Sequence, residues 1–344
     1  MKKIKSPAVL KMRLLPKDEI VNDIKKFRKI TSEIINKNDD RLLVIVGPCS
    51  IHDTEEWLVY ARKLNRMKEK FPNLFIIMRS YFEKPRTTIG WKWLINDPNL
   101  DWSFDIEKWL KKSRKLLLEI NKLGLPVSTE FLDPITPNYL SDLITWWAIW
   151  ARTTESQVHR EMASGLDSII WFKNWTTWDI QIAIDAMKST ANPHNFLWIN
   201  QKWKLEIVST KWNKNSHIIL RWWKNWPNYK KEDIDNTIKI LKKEWINTWI
   251  MIDASHANSN KKPENQKWVI RNIAEQIENG NKQIVWVMIE SNIYFWSQSF
   301  TPWIDKASDL KYWISITDWC IALDDTKKLL DTLNKAVEKR KTLK

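Results

Sequence analysis

Nearly continuous apolar runs recur along the chain, separated by stretches in which apolar residues return every three or four positions. The runs "RLLVIVGPCS" (41–50), "LFIIMRS" (74–80), "PVSTEFL" (126–132), "WAIWAR" (147–152), "SIIWFKN" (168–174), "HIILR" (217–221), "TWIMIDASH" (248–256) and "IVWVMIES" (284–291) predict eight strands. Helical periodicity predicts helices over 57–70, 106–123, 177–189, 231–244 and 265–279. Alternation of this kind predicts an α/β fold, a (β/α)8 TIM barrel, with a doubly wound open sheet as the alternative. Two pieces stand outside the repeat. Residues 1–40 read as an N-terminal helical extension suited to oligomerisation or regulation, and 195–213 read as a β-hairpin inserted into a catalytic barrel spanning 41–344. A solvated arm and a decorative loop are the plainer readings of these two pieces.

Polar or reactive residues close almost every run: Cys49, Arg79, Glu130, Arg152, Lys173, Arg221, His256 and Glu290. In a barrel these ends converge on one mouth, where catalytic groups gather. Cys49, His256 and Glu290, with Asp318 of "ISITDWC", offer a thiolate, an imidazole and two carboxylates. That set suits one divalent ion such as Mn²⁺, Fe²⁺ or Zn²⁺ better than Mg²⁺. Singly, Cys49 reads as well as a small core residue and His256 as a satisfied core histidine; their shared position raises the metal reading. Arg79, Lys84, Arg86, Arg152, Lys173 and Arg221 form a cationic set. Crowded at one mouth they call for anionic groups of a substrate, although ordinary salt bridges would account for any one of them.

Charge and composition narrow the classes. The net charge is +15, from 56 Lys and Arg against 41 Asp and Glu. The lysines are spread through helices rather than gathered in one arm, which argues against nucleic acid as partner. No apolar run is long enough for a membrane span and the start lacks a secretory signal, so the chain is expected to be cytoplasmic, with no membrane partner. Two cysteines, Cys49 and Cys320, imply no disulfide framework. If the segment after Asp318 is extended, Cys320 points to the same side as Asp318, and an oxidative Cys49–Cys320 bridge is expected as an off-switch.

Tryptophan and glycine are out of proportion, at 25 and 5 residues. In "IILRWWKNWPNYK" (218–230) three indoles occupy the end of a strand and the loop after it, where turns call for small residues.

Several segments carry a specific resemblance: "VGPCSIHD" (46–53), "MRSYFEKPRTTIGWKWLINDP" (78–98), "ARTTESQVHREMASG" (151–165), "FKN" (172–174), "ILR" (219–221), "MIDASHANS" (251–259) and "SITD" (315–318). In order and over nearly the whole chain, they resemble the microbial, feedback-regulated class I 3-deoxy-D-arabino-heptulosonate-7-phosphate (DAHP) synthases. "EKPRTT" with "ARTTESQVHRE" is the most specific part. The resemblance implies a metal-dependent condensation of phosphoenolpyruvate with erythrose 4-phosphate, releasing phosphate, the first step of the shikimate pathway. It implies that Arg79, Lys84, Arg152, Lys173 and Arg221 cradle phosphoenolpyruvate beside Glu130, and that Arg86 and Thr87 hold the erythrose phosphate. The metal on Cys49, His256, Glu290 and Asp318 would polarise the aldehyde, with Lys84 placed to protonate the alkoxide. Arg79, Lys84, Lys173 and His256 are thus the expected catalytic residues, and no nucleotide is needed.

The same resemblance implies an aromatic amino acid inhibitor near Pro134, Asn138, Leu166, Asp167, Phe196 and Trp198, and a homo-oligomer, dimer or tetramer. It also places most tryptophans at glycine positions: "RWWK" stands for "RGGK", "GWKWLINDP" for "GWKGLINDP", "WWAIWART" for "WGAIGART" and "WFKNWT" for "GFKNGT". Trp91 and Trp146 match the family. Returning the other 23 would raise glycine from 5 to 28 of 344, near ordinary usage of about 7%. UGA codons read as glycine in the source cell and translated here as tryptophan would produce this pattern. With glycine at 198, tyrosine is favoured over phenylalanine as inhibitor. The alternatives are 3-deoxy-D-manno-octulosonate-8-phosphate synthase, against which "KPRT" argues, and a non-catalytic basic binding protein.

Overall fold

Residues such as Leu42, Val44 and Val46 pack outward against helices, whereas their neighbours Leu43 and Ile45 pack inward, and all of them are fully buried. Burial on both faces makes parallel strands read as unbroken apolar runs. The computed structural model describes residues 3–83, 94, 96–149, 153–173, 180–221, 226–246, 249–301 and 304–343, with the backbone alone at Lys173. Helices α1 (Pro7–Arg13) and α2 (Asp18–Ile35) precede β1 (Leu42–Gly47), α3 (Thr54–Lys68), β2 (Leu74–Arg79), α4 (Ile106–Lys122) and β3 (Val127–Phe131). Then come α5 (Pro137–Leu140), β4 (Trp146–Ile149), α6 (Gln157–Ser164), β5 (Ile169–Lys173) and α7 (Gln181–Thr190). A hairpin of β6 (Asn195–Ile199) and β7 (Leu205–Ser209) follows, and β8 (Ser216–Leu220), α8 (Lys231–Lys243), β9 (Ile250–Asp253) and α9 (Gln266–Glu278) resume the repeat. The chain ends with β10 (Ile284–Asn292), β11 (Ile321–Ala322) and α10 (Leu323–Thr342).

Strands β1, β2, β3, β4, β5, β8, β9 and β10 pair in parallel in that order, and β1 pairs β10 through Leu43↔Trp286 to Gly47↔Glu290. The sheet therefore closes. This is a (β/α)8 barrel with N-terminal helices and an inserted antiparallel hairpin; the open-sheet alternative falls because it has no β1–β10 ladder. Some expected bounds shift. Asp53 accepts from the backbone N–H of Glu55 at 2.7 Å and Glu56 at 3.2 Å, so α3 starts at Thr54 rather than 57. The seventh barrel strand stops at Asp253, not 256, because Asp253 Oδ1 accepts from Ser255 N at 2.9 Å and turns the chain.

The N-terminal segment is tied to the barrel by polar contacts. Buried Arg114 of α4 grips Asp142 through two bonds of 2.8 and 2.7 Å and donates to Leu14 O at 3.1 Å and Tyr139 O at 2.8 Å. Ala8 N donates to Gln201 O at 2.9 Å, joining α1 to the hairpin turn.

The tryptophans fit the backbone poorly. Eleven described non-glycine residues have positive φ, and five of them are Trp102 (64°), Trp203 (63°), Trp245 (60°), Trp296 (108°) and Trp313 (62°). A side chain in the left-handed region costs about 1–2 kcal/mol per residue. Inside the barrel the rings are crowded: His217 and Trp286 have centroids 3.9 Å apart, and Phe131 and Trp147, on the helix-facing side, 3.3 Å. Aromatic pairs prefer about 4.5–7 Å.

Candidate active site

Glycine permits the first close approach at the mouth. A Cβ on Gly47 would lie 2.7 Å from the Arg79 carbonyl oxygen, so only glycine lets the ends of β1 and β2 sit this close. Beyond Gly47 the chain turns and brings Pro48 and Cys49 over Arg79. The Arg79 guanidinium donates to Pro48 O and Cys49 O, lies 3.0 Å from Glu290 Oε1, and sits over the Tyr81 ring at 3.8 Å. Burial alone would lower its pKa, but Glu290, then Cys49, Tyr81 and Glu130, hold it above its ordinary value. Arg79 is thus a permanent buried cation beneath the mouth, and its fork organises Cys49 and Glu290.

Cys49, Glu290 and Asp318 come together from β1, β10 and the segment before β11. One donor atom of each lies within 4.8 Å of the others, the one such group of metal-capable side chains found among the described residues. Cys49 Sγ is 3.4 Å from Asp318 Oδ2, and Ser50 and Thr317 hydroxyls, 2.7 Å apart, tie the two segments. Glu290 is fixed from both ends. Its backbone N–H and carbonyl pair with the Gln266 amide at 3.0 Å each, and Oε2 accepts from Ser255 Oγ at 3.0 Å.

His256 is outside that three-donor group yet touches it. It lies in the turn after β9 with φ 53°, not at a strand end, and its Nε2 is 3.4 Å from Glu290 Oε1. Its Nδ1 lies 2.8 Å from Asp253 Oδ2, which also lies 3.4 Å from Arg221 Nε. Asp253, fully buried, was not anticipated from the sequence because it closes the strand-like run "IMID". Its effect is to aim the imidazole and to hold Arg221 at the same rim. A thiol, an imidazole and two carboxylates are a donor set for a borderline divalent transition ion, so the residues fit the metal expected of them.

Glu130 is buried at the end of β3, and the Lys173 backbone ends β5 opposite Ile219. Lys84, Arg86, Thr87 and Arg152 lie outside the described residues. Glu83, also unanticipated, is buried and its Oε2 accepts from Leu132 N at 2.7 Å and Asp133 N at 2.8 Å, joining the exits of β2 and β3. Burial pushes its carboxyl up to about 8 even though those N–H groups pull it down. Cys49 and Cys320 are buried thiols that are not joined in a disulfide. Burial raises the Cys320 thiol well above its ordinary value, and Glu290 and Cys49 add to this.

The six residues expected at an inhibitor site divide. Asn138 donates to Ile199 O at 3.0 Å and accepts from Trp198 Nε1 at 3.4 Å, and Phe196 meets Trp198 edge-on with centroids 5.7 Å apart. Pro134 lies four residues before Asn138 on the β3–α5 connection. Leu166, half-buried, and exposed Asp167 follow α6, and Asp167 acts electrostatically on Arg28 of α2.

This arrangement defines a barrel aldolase-type enzyme with a metal-capable mouth. Residues 19–331 match the model of the DAHP synthetase I family. The Tyr-sensitive phospho-2-dehydro-3-deoxyheptonate aldolase of Salmonella typhimurium is 47% identical over 313 residues, covering 91% of this chain and 87% of that protein. The Phe-sensitive enzyme of Escherichia coli is 46% identical over 341 residues, covering 99% and 96%. A solved phospho-2-dehydro-3-deoxyheptonate aldolase from Francisella tularensis superposes with a TM-score of 0.94 at 48% identity, covering 99% of this chain and 98% of that one. The chain belongs to the class I DAHP synthase family. Its activity is that of a 3-deoxy-7-phosphoheptulonate synthase, which opens the shikimate pathway. Among the described residues, no helix is long and apolar enough to cross a membrane.

Proposed function

We propose that this mouth condenses phosphoenolpyruvate with erythrose 4-phosphate using Cys49, His256, Glu290 and Asp318 as ligands of one divalent transition ion, Mn²⁺, Fe²⁺ or Zn²⁺. The observation that carries the reading is the convergence of Cys49, Glu290 and Asp318 within 4.8 Å, with His256 Nε2 3.4 Å from Glu290. When bound, the ion supplies Lewis-acid polarisation of the aldehyde oxygen. Arg79, Lys84, Arg152, Lys173 and Arg221 neutralise the enol phosphate and its carboxylate, Glu130 borders them, and Arg86 and Thr87 hold the aldose phosphate. C3 of the enol attacks the aldehyde carbon while Lys84 protonates the alkoxide. Water adds at C2, and phosphate leaves with C–O cleavage, so no nucleotide is consumed. Fixed cations stabilise the charge that accumulates. An assay of His256→Ala tests this: metal-dependent turnover should vanish, and unchanged turnover would overturn the ligand assignment.

Feedback inhibition by an aromatic amino acid belongs to the same reading, since relatives are named Tyr-sensitive and Phe-sensitive. We place it near Pro134, Asn138, Leu166, Asp167, Phe196 and Trp198. Tyrosine is favoured if position 198 is glycine, and inhibition curves with both amino acids decide. Leu197, Leu205 and Ile207 are exposed on the hairpin, which supports a homodimer or tetramer formed with help from the 1–40 extension. A cytoplasmic location accords with the substrates.

A further inference from the structure

We infer that the protein made in the source cell carries glycine, not tryptophan, at positions 102, 147, 171, 203, 245, 286, 296 and 313, because its UGA codons are read there as glycine. Two kinds of observation mark these positions, and the choice of 171 and 286 over 146 within one crowded group follows the resemblance, in which Trp146 stands as tryptophan.

The first is backbone conformation. Tryptophan is 25 of 344 residues and would supply fewer than one of the eleven positive-φ non-glycine positions among the described residues by chance, yet it supplies five, Trp102, Trp203, Trp245, Trp296 and Trp313. Indole gives no reason to prefer φ > 0, whereas glycine adopts it freely. Trp245 is 96% exposed in the turn after α8, so no packing holds it in that conformation. A residue just past a helix end at φ 60° is where glycine terminates helices.

The second is crowding where there is no room for indole. Trp146 and Trp171 stack with centroids 4.6 Å apart, Trp286 lies 4.7 Å from Trp146, and His217 lies 3.9 Å from Trp286. Four rings thus fill one level of the barrel interior. Trp147 lies 3.3 Å from Phe131, closer than two rings at a 34° tilt pack without overlap. The buried indole N–H groups of Trp146, Trp147 and Trp286 find no acceptor, and each buried donor without one is destabilising. Removing the rings at 147, 171 and 286 leaves Trp146 as the one large indole among His217 and the aliphatic interior, an ordinary barrel filling. The codon makes this substitution simple: UGA differs from the tryptophan codon UGG only in its third base and from the glycine codon GGA only in its first.

The eight positions span the mouth side, the outer helices and the hairpin turn, so the substitution concerns how the message is read rather than one local site. The test is the coding DNA together with peptide masses of the protein purified from its own cells. The expected result is TGA at all eight codons and glycine in the peptides that cover 203, 245, 296 and 313. TGG at these codons overturns the inference, as does TGA with indole in those peptides. This reading of mass is independent of catalysis. A second comparison uses two genes expressed side by side, one as written and one with Trp→Gly at the eight positions. The glycine form should give at least ten-fold more folded monomer-normalised protein in the soluble fraction. Equal yield and equal cooperative melting of the two would count against the inference.

Discussion

Asp253 Oδ2 lies 2.8 Å from His256 Nδ1, and Glu290 Oε1 lies 3.4 Å from the opposite ring nitrogen. The imidazole is therefore oriented from behind by one carboxylate and presented to the metal-capable group by its other edge. A buried carboxylate behind a metal-facing histidine fixes the tautomer and raises donor strength. Asp253→Asn should weaken metal affinity by about 10–100-fold, read by titration of Mn²⁺ into metal-free protein. Because Asn retains the shape, melting of the metal-free variant should shift little; unchanged affinity would contradict the assignment of Asp253.

Arg114 tests the attachment of the N-terminal segment. Its guanidinium is fully buried, while the Asp142 side chain is 34% exposed. Water therefore compensates part of the loss. Arg114→Ala should cost about 2–3 kcal/mol, less than the 3–5 of a fully enclosed pair, and should expose the segment around Leu14 to limited proteolysis. A denaturant midpoint equal to that of the parent would refute this role.

Stability should be highest in mildly acidic solution. Burial raises the Glu83 carboxyl to about 8 and Glu56 to about 7 from an ordinary 4.5, so their contribution is complete below 4.5 and lost as pH rises through about 7 and about 8. Burial lowers His52 to about 4 and His217 to about 3 from 6.5, so their contribution is complete above 6.5 and lost as pH falls through those values. The melting temperature should be flat between pH 4.5 and 6.5 and fall on either side, and Glu83→Gln should flatten the alkaline limb. A midpoint that rises from pH 6.5 to 8 would contradict it.

The hairpin offers a further test. Leu197 pairs with Ile207 across β6 and β7, and both side chains are exposed, at 66% and 74%. Leu197→Glu with Ile207→Glu should dissociate the proposed oligomer while leaving the barrel's circular dichroism intact, as light scattering after size exclusion would show. A mass unchanged by the double substitution would remove the hairpin from the interface.

The barrel strands were legible because parallel strands buried on both faces show as apolar runs bounded by polar residues. Cys49 and Glu290 were legible for a related reason, since each follows or closes such a run, whereas Asp318 follows none of the eight runs and stands out as the carboxylate of "ISITDWC". His256 was read as a strand end because "DASH" continues the run in small residues, whereas Asp253 folds its own carboxylate back onto Ser255 N and stops the strand. Asp253 and Glu83 were missed because a carboxylate inside an apolar run carries no periodic signal; their roles come from partners distant in sequence. Helix α6 has little periodic signal because it is a short segment with a polar first turn. Helix α10 carries acidic residues at its start and basic ones at its end, with Leu330, Leu333 and Val337 as a narrow buried stripe. The mismatch of tryptophan and glycine was legible in composition, but which positions suffer from it was not, since backbone φ does not appear in a sequence.

The most direct measurement is an anomalous-scattering map from crystals of the protein loaded with Mn²⁺. The account predicts a single strong peak bonded to Cys49 Sγ, His256 Nε2 and carboxylate oxygens of Glu290 and Asp318, at about 2.0–2.4 Å. A catalytically active crystal whose manganese sits elsewhere, with those four side chains unbound, would contradict it.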